Sequence, residues 1–172
     1  MLEEYYNNYD EAGRLKKDNI HTIEYRTTLH FLLKHLPLSC SVLDCCAGCG
    51  VYAFPLAKKG YKVNAGDLMQ KHVDIMNSSQ EINLLQAVYC GNVLDMSCFV
   101  ENSFDVVLCL GALYHLQTAS EREKCVSECL CVLKSGGICA FSYINRNAIF
   151  INQFKQKPNG ITVKHRRTIV KQ

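Results

Sequence analysis

The nine residues from Val42 to Gly50, VLDCCAGCG, constrain this chain more than any other stretch. An apolar pair, Val42 and Leu43, ends in Asp44 and gives way at once to small residues and two glycines, Gly48 and Gly50. The pattern reads as a buried strand turning sharply into a helix, where backbone can pass close to a ligand and the N–H groups of the helix start can face it. A dinucleotide loop of the G-x-G-x-x-G type would want a third glycine near Ala53, and Cys46 stands where such loops have their first. An NAD-dependent dehydrogenase is therefore disfavoured, and a tight turn that holds no ligand is the competing reading.

The stretches around this loop alternate between strand and helix patterns. Upstream, Leu2 to Pro37 reads as helix, break at Gly13, helix, and the second helix over Thr22 to His35 carries Ile23, Leu29, Leu32, Leu33 and Leu36 at spacings near three and four. Downstream come a short helix over Val51 to Lys59 capped by Gly60, a strand from Tyr61 to Ala65 and a helix over Met69 to Asn77. A third strand from Leu84 to Cys90 and a near-continuously apolar fourth, Phe104 to Leu110, follow. A helix over Ser120 to Leu133, a Ser135-Gly136-Gly137 turn and a fifth strand from Ile138 to Ile144 complete the series. Such alternation implies an α/β fold with a doubly wound, mostly parallel sheet, and ligands bind such sheets outside the carboxyl ends of the strands. Asp67 lies about twenty residues beyond the glycine loop, where a ribose-binding carboxylate belongs. Asp44, Asp67, Asn92 and Tyr114 would all emerge on the same edge.

Composition narrows the class. With 172 residues, 48% hydrophobic and 20% charged, the chain suits one globular domain, and no apolar run reaches membrane-spanning length. The acidic, polar start MLEEYYNNYDE lacks the features of a signal peptide, so the expected location is the cytoplasm. Residues 155 to 172 hold six Lys/Arg and no acid, a basic tail on a body of net charge −3.

Eleven cysteines are many for this length. An odd count and positions such as Cys109 and Cys139 inside apolar runs argue for reduced, mostly buried thiols. Cys45, Cys46 and Cys49 cluster along the chain, as do Cys125, Cys129 and Cys131, but neither group repeats the paired C-x-x-C spacing of a zinc site. No metal is expected on that ground.

Five segments in order resemble class I S-adenosylmethionine-dependent methyltransferases of the bacterial small-molecule type: VLDCCAGCG, Gly66-Asp67-Leu68, GNVLD, FDVVLCLGALYHL and LKSGGICAFSY. YYNNYDEAGRL and IEYRTTLHFL also resemble the N-terminal cap of a subgroup. The resemblance implies a Rossmann-like core over residues 38–145, a helical cap over 1–37 and a basic tail over 146–172. It implies S-adenosylmethionine as cofactor, with Asp44 near the methionine end and close backbone approach at Ala47, Gly48, Cys49 and Gly50. Asp67 with Leu68 would take the ribose, Asn92 and Val93 the adenine, and Leu110 the end of the fourth strand. His115 is the candidate base and Tyr114 a substrate or methionine contact, although His115 could equally be a helix-start residue bonded to backbone.

Members of the family usually continue past the fifth strand with a helix and two antiparallel strands, and residues 145–172 are too few for these, so the chain looks shortened. A non-catalytic cofactor-binding module is one alternative to a small-molecule methyltransferase. A nucleic-acid methyltransferase or binding protein, suggested by the basic tail, is disfavoured because GALYH stands where amino-group DNA methyltransferases carry Asn/Asp-Pro-Pro-Tyr/Phe. An uncovered fifth strand would also present an unpaired edge, so a homodimer through that edge, or a tail segment such as Gly160 to His165 folded over it, is expected.

Overall fold

A computed structural model describes residues 18–145 together with Gly13, Asn147, Ile151 and Lys155. Residues 1–142 and 143–172 form two separate compact units. In the first, helix α1 (Asn19–His35) leads into β1 (Ser41–Asp44), α2 (Ala53–Lys58), β2 (Lys62–Asp67) and α3 (Gln70–Asn77). Strand β3 (Ala87–Cys90), β4 (Phe104–Cys109), α4 (Ala119–Val132) and β5 (Leu133–Phe141) follow. The aromatic start of the chain and the segment Gly160 to His165 lie outside the described residues. Gly13, expected as a break, is itself helical, since one glycine costs a helix only about 1 kcal/mol. Among the described residues no helix is long and apolar enough to cross a membrane.

All five strands pair in parallel, in the order β3-β2-β1-β4-β5. The alternation of side chains along β1 and β4 divides the core in two. Val42, Val106 and Leu108 join the cluster containing Leu32, Leu56 and Met76 from the helices α1, α2 and α3. Leu43, Val107 and Cys109 join the cluster of Cys125, Cys129 and Val132 from α4. Both faces are thus covered, which is why FDVVLC can be apolar almost throughout. The chain leaves β1 to one side and returns to its other side as β4, so the reversal of strand order, where ligands bind in such sheets, falls between these two strands.

Local sequence sets the element ends. Asp18 accepts from the His21 amide at the start of α1, and Thr118 with Glu121 forms a reciprocal capping box on α4. At the opposite sheet edge, Asp105 accepts from the Ser41 amide and hydroxyl at 2.8 and 2.7 Å and from Lys134 Nζ at 2.7 Å. These donors, Lys134 first, hold its carboxyl well below the usual carboxylate range.

Two strands differ from the sequence expectation. Ile82–Leu84 is a 3-10 turn that tucks Leu85 into the core, and β3 begins only at Ala87, where pairing with Asn64 starts. The expected Ser135–Gly137 turn lies inside β5: Phe104 pairs with Leu133 and Val106 with Ile138, so residues 134–137 bulge opposite Asp105, held by its ion pair with Lys134.

Gly66 is required by a close approach. A Cβ there would sit 2.1 Å from the Tyr89 ring, which is wedged in turn by Phe99 at 5.0 Å and Phe99 by Phe104 at 5.4 Å. Gly66→Ala should lower the unfolding free energy by about 1–3 kcal/mol in urea denaturation, through overpacking. Unaltered stability would mean that Tyr89 swings aside freely.

Candidate active site

The carboxyl ends of β1, β2 and β4 open into one cleft. Its lining includes Gly48, Asp67, Leu68, Asn92, Val93, Leu110, Tyr114 and His115, eight of the residues singled out in the sequence. Four others are elsewhere. Asp44 is buried beneath the cleft, 1% exposed, and Ala47 is buried with its amide donating to the Gly66 carbonyl at 2.9 Å. Cys49 and Gly50 line a neighbouring hollow with Tyr25, Phe54 and the ion pair of Lys58 and Glu81.

Asp67 ties the loop after β1 to the start of α3. Its Oδ2 accepts from the Gly48 amide at 2.9 Å, and its Oδ1 from the Met69 amide at 2.9 Å. The imidazole Nδ1 of His72 lies 3.0 Å from the same Oδ1. A carboxylate offers about four lone-pair sites, so Oδ2 retains acceptor capacity toward the cleft. His72 also lines the cleft, and the sequence reading missed it. The available signal was an acid closing a strand with a histidine five residues later, in the first turn of the next helix.

Asp44 is electrostatically strained. Neither of its oxygens makes a hydrogen bond within ordinary limits among the described residues. Burial foremost, and the nearby Asp67 charge second, push its pKa up to about 7, an effect that the adjacent Cys46 amide offsets only in part. A buried carboxylate without a partner suits a site that receives a cation.

On the far wall, Asn92 Oδ1 accepts from the Leu94 amide at 2.9 Å, which leaves its NH2 as the group available to a ligand acceptor. The segment after β4 turns at Gly111, whose φ of +135° few L side chains adopt, and a Cβ there would lie 3.3 Å from the Tyr114 hydroxyl. Arg122 Nη1 donates to the Leu116 carbonyl at 2.7 Å and anchors this segment to α4. Tyr114, 43% exposed, packs its ring against that of His115 with centroids 4.6 Å apart. An acid, an amide, an imidazole and a phenol thus share one partly apolar cleft, a set able to orient a polar ligand and accept a proton.

Comparison with known proteins fits this geometry. A family described as "Methyltransferase domain" matches residues 43–141. The chain is 31% identical over 122 residues to a ubiquinone biosynthesis O-methyltransferase of Chromobacterium violaceum, covering 70% of this chain and 51% of that protein. The fold is similar to that of the PH0226 protein from Pyrococcus horikoshii OT3, with TM-score 0.67 and 21% identity over 89% of this chain and 71% of the other. It also resembles a SAM-dependent methyltransferase from Methanosarcina mazei, with TM-score 0.62 and 22% identity over 75% and 66% of the two chains. The chain spans about half the length of the curated relatives it matches.

Proposed function

The chain belongs to the methyltransferase-domain family, which matches more than half of it, and from that premise we propose that it transfers a methyl group from S-adenosylmethionine to a hydroxyl group of a small molecule. The family implies the cofactor, and the relative named an O-methyltransferase suggests oxygen as the acceptor atom. The observation that carries the reading is the convergence of Asp67, Asn92, Tyr114 and His115 on one cleft at the carboxyl ends of β1, β2 and β4.

The residues fit that cofactor. Asp44, buried under the loop with neither oxygen hydrogen-bonded within ordinary limits among the described residues, would ionise and lend negative potential when a ligand carrying an ammonium and a sulfonium is bound. Asp67, already oriented by two backbone amides, would accept from ribose hydroxyls, and the Asn92 NH2 would donate to an adenine nitrogen. When bound, S-adenosylmethionine supplies a methyl group activated by the sulfonium charge. The chain's own residues would orient and deprotonate: Tyr114 would position the acceptor, and the His115 imidazole would take the hydroxyl proton as the methyl passes from sulfur to the acceptor oxygen and S-adenosylhomocysteine leaves as the neutral thioether. Leu110 and Val93 contribute apolar lining to the cleft.

Calorimetry with S-adenosylmethionine, S-adenosylhomocysteine and NAD in parallel tests the reading. Binding of the first two and none of NAD is expected. Binding of NAD alone, or of no nucleoside ligand, would overturn it.

A further inference from the structure

Six of the eleven cysteines gather in the core between the sheet and α4. Cys45 comes from the end of β1, Cys109 from the end of β4 and Cys129 from α4, and their Sγ atoms all lie within 4.8 Å of one another. Cys109 Sγ is also 3.7 Å from Cys125 Sγ and 4.0 Å from Cys46 Sγ. Cys45, Cys109 and Cys129 are buried, whereas Cys45 and Cys46 also form part of the cleft wall. From the geometry we infer that this thiol cluster is a binding site for one thiophilic divalent d10 ion of the zinc class, held by Cys45, Cys109 and Cys129.

Buried cysteines that act only as small apolar side chains have no need to meet sulfur to sulfur. Here three separate elements bring their thiols to a common point. Zinc–sulfur bonds of about 2.3 Å in a tetrahedral site put sulfurs about 3.8 Å apart. The observed separations therefore need a closure of no more than about 1 Å, which small side-chain rotations supply. Cys125 and Cys46, with sulfurs 3.7 and 4.0 Å from that of Cys109, flank the site as neutral thiols. Thiolate sulfur selects soft ions over magnesium or calcium. A divalent ion with three thiolates leaves one negative charge in the core, where a monovalent ion would leave two, so the divalent ion is favoured.

Each ligating thiol must release its proton to solvent, three protons for one ion entering, with no change of oxidation state. The ion has a route in, because the cleft reaches Cys45 and Cys46 directly. The three thiols converge from elements far apart in the chain, so their meeting leaves no trace in the spacing of neighbouring cysteines.

The test uses the full chain, reduced and stripped of metal, titrated with Cd(II) and then Zn(II) in the presence of a non-thiol reductant. One cadmium per chain, an ultraviolet sulfur-to-cadmium charge-transfer band and release of about three protons are expected. Alkylation in mild denaturant followed by mass spectrometry should find Cys45, Cys109 and Cys129 protected in the loaded protein and modified in the metal-free protein under the same conditions, with the exposed Cys90, Cys98 and Cys131 modified in both. Cys129→Ala should weaken uptake by about 100-fold, while the triple variant Cys90→Ala, Cys98→Ala, Cys131→Ala should retain it. If Cys129→Ala does not fold, the protection map on the unaltered chain still decides. Absence of stoichiometric uptake, or protection confined to the exposed thiols, overturns the site.

Discussion

Asp67→Ala is expected to weaken S-adenosylmethionine binding by about 1–3 kcal/mol, about 5- to 150-fold, and to destabilise the fold by a similar amount. The two losses have distinct origins. Binding suffers because the ribose hydroxyls would lose a charged acceptor. The fold suffers because the Gly48 and Met69 amides, each 2.9 Å from the carboxylate, would be left without their partner. His72 would lose its carboxylate neighbour at 3.0 Å as well. Asp67→Asn separates the contributions, because its amide oxygen can keep one of the two amide bonds while the charge disappears. Calorimetry for affinity and urea denaturation for stability should therefore show Asp67→Asn closer to the parent in stability than in affinity. Unchanged affinity in a folded Asp67→Ala protein would remove Asp67 from the ribose site and leave it a purely structural residue.

The position of Asp67 at the end of β2 was legible in the sequence because it depends on local order: an acid closes the strand that follows a glycine loop, and the spacing of about twenty residues reflects one helix and its turns. Strand β4 was legible because burial on both faces demands a nearly continuous apolar run, broken here only by Asp105. What escaped depended on distant partners. The bulge in β5 is held by Lys134 reaching Asp105, twenty-nine residues away, so a local Ser-Gly-Gly pattern could only suggest a turn. Asp44 was legible as the end of β1 but its depth was not, because strand order decides that a residue at the end of the central β1 lies under the cleft rather than in its wall. The meeting of Cys45, Cys109 and Cys129 escaped for the same reason: sixty-four residues separate the first two, and only the pairing of β1 with β4 unites them.

His115→Ala should lower kcat for hydroxyl methylation by about 10²- to 10⁴-fold, the usual contribution of a positioned general base. The affinity for S-adenosylmethionine should change by less than about 3-fold, since a base acting on the acceptor adds nothing to cofactor binding before the reaction. The position supports the role: His115 closes a short turn, its amide donating to Ala112 at 2.9 Å, and its ring is braced by Tyr114 on a segment that Arg122 ties to α4. Transfer of a labelled methyl group to catechol, or to whichever of a panel of simple phenols turns over fastest, gives the rate. Added imidazole should restore part of the activity of His115→Ala, because the cavity left by the ring lies in an open cleft. Tyr114→Phe distinguishes bracing from contact: retained kcat would mean that the ring alone matters, and a raised KM that the hydroxyl touches the acceptor. A His115→Ala protein with parental kcat, or one that loses cofactor affinity without imidazole rescue, would return His115 to the role of a turn residue and leave the cleft without its base.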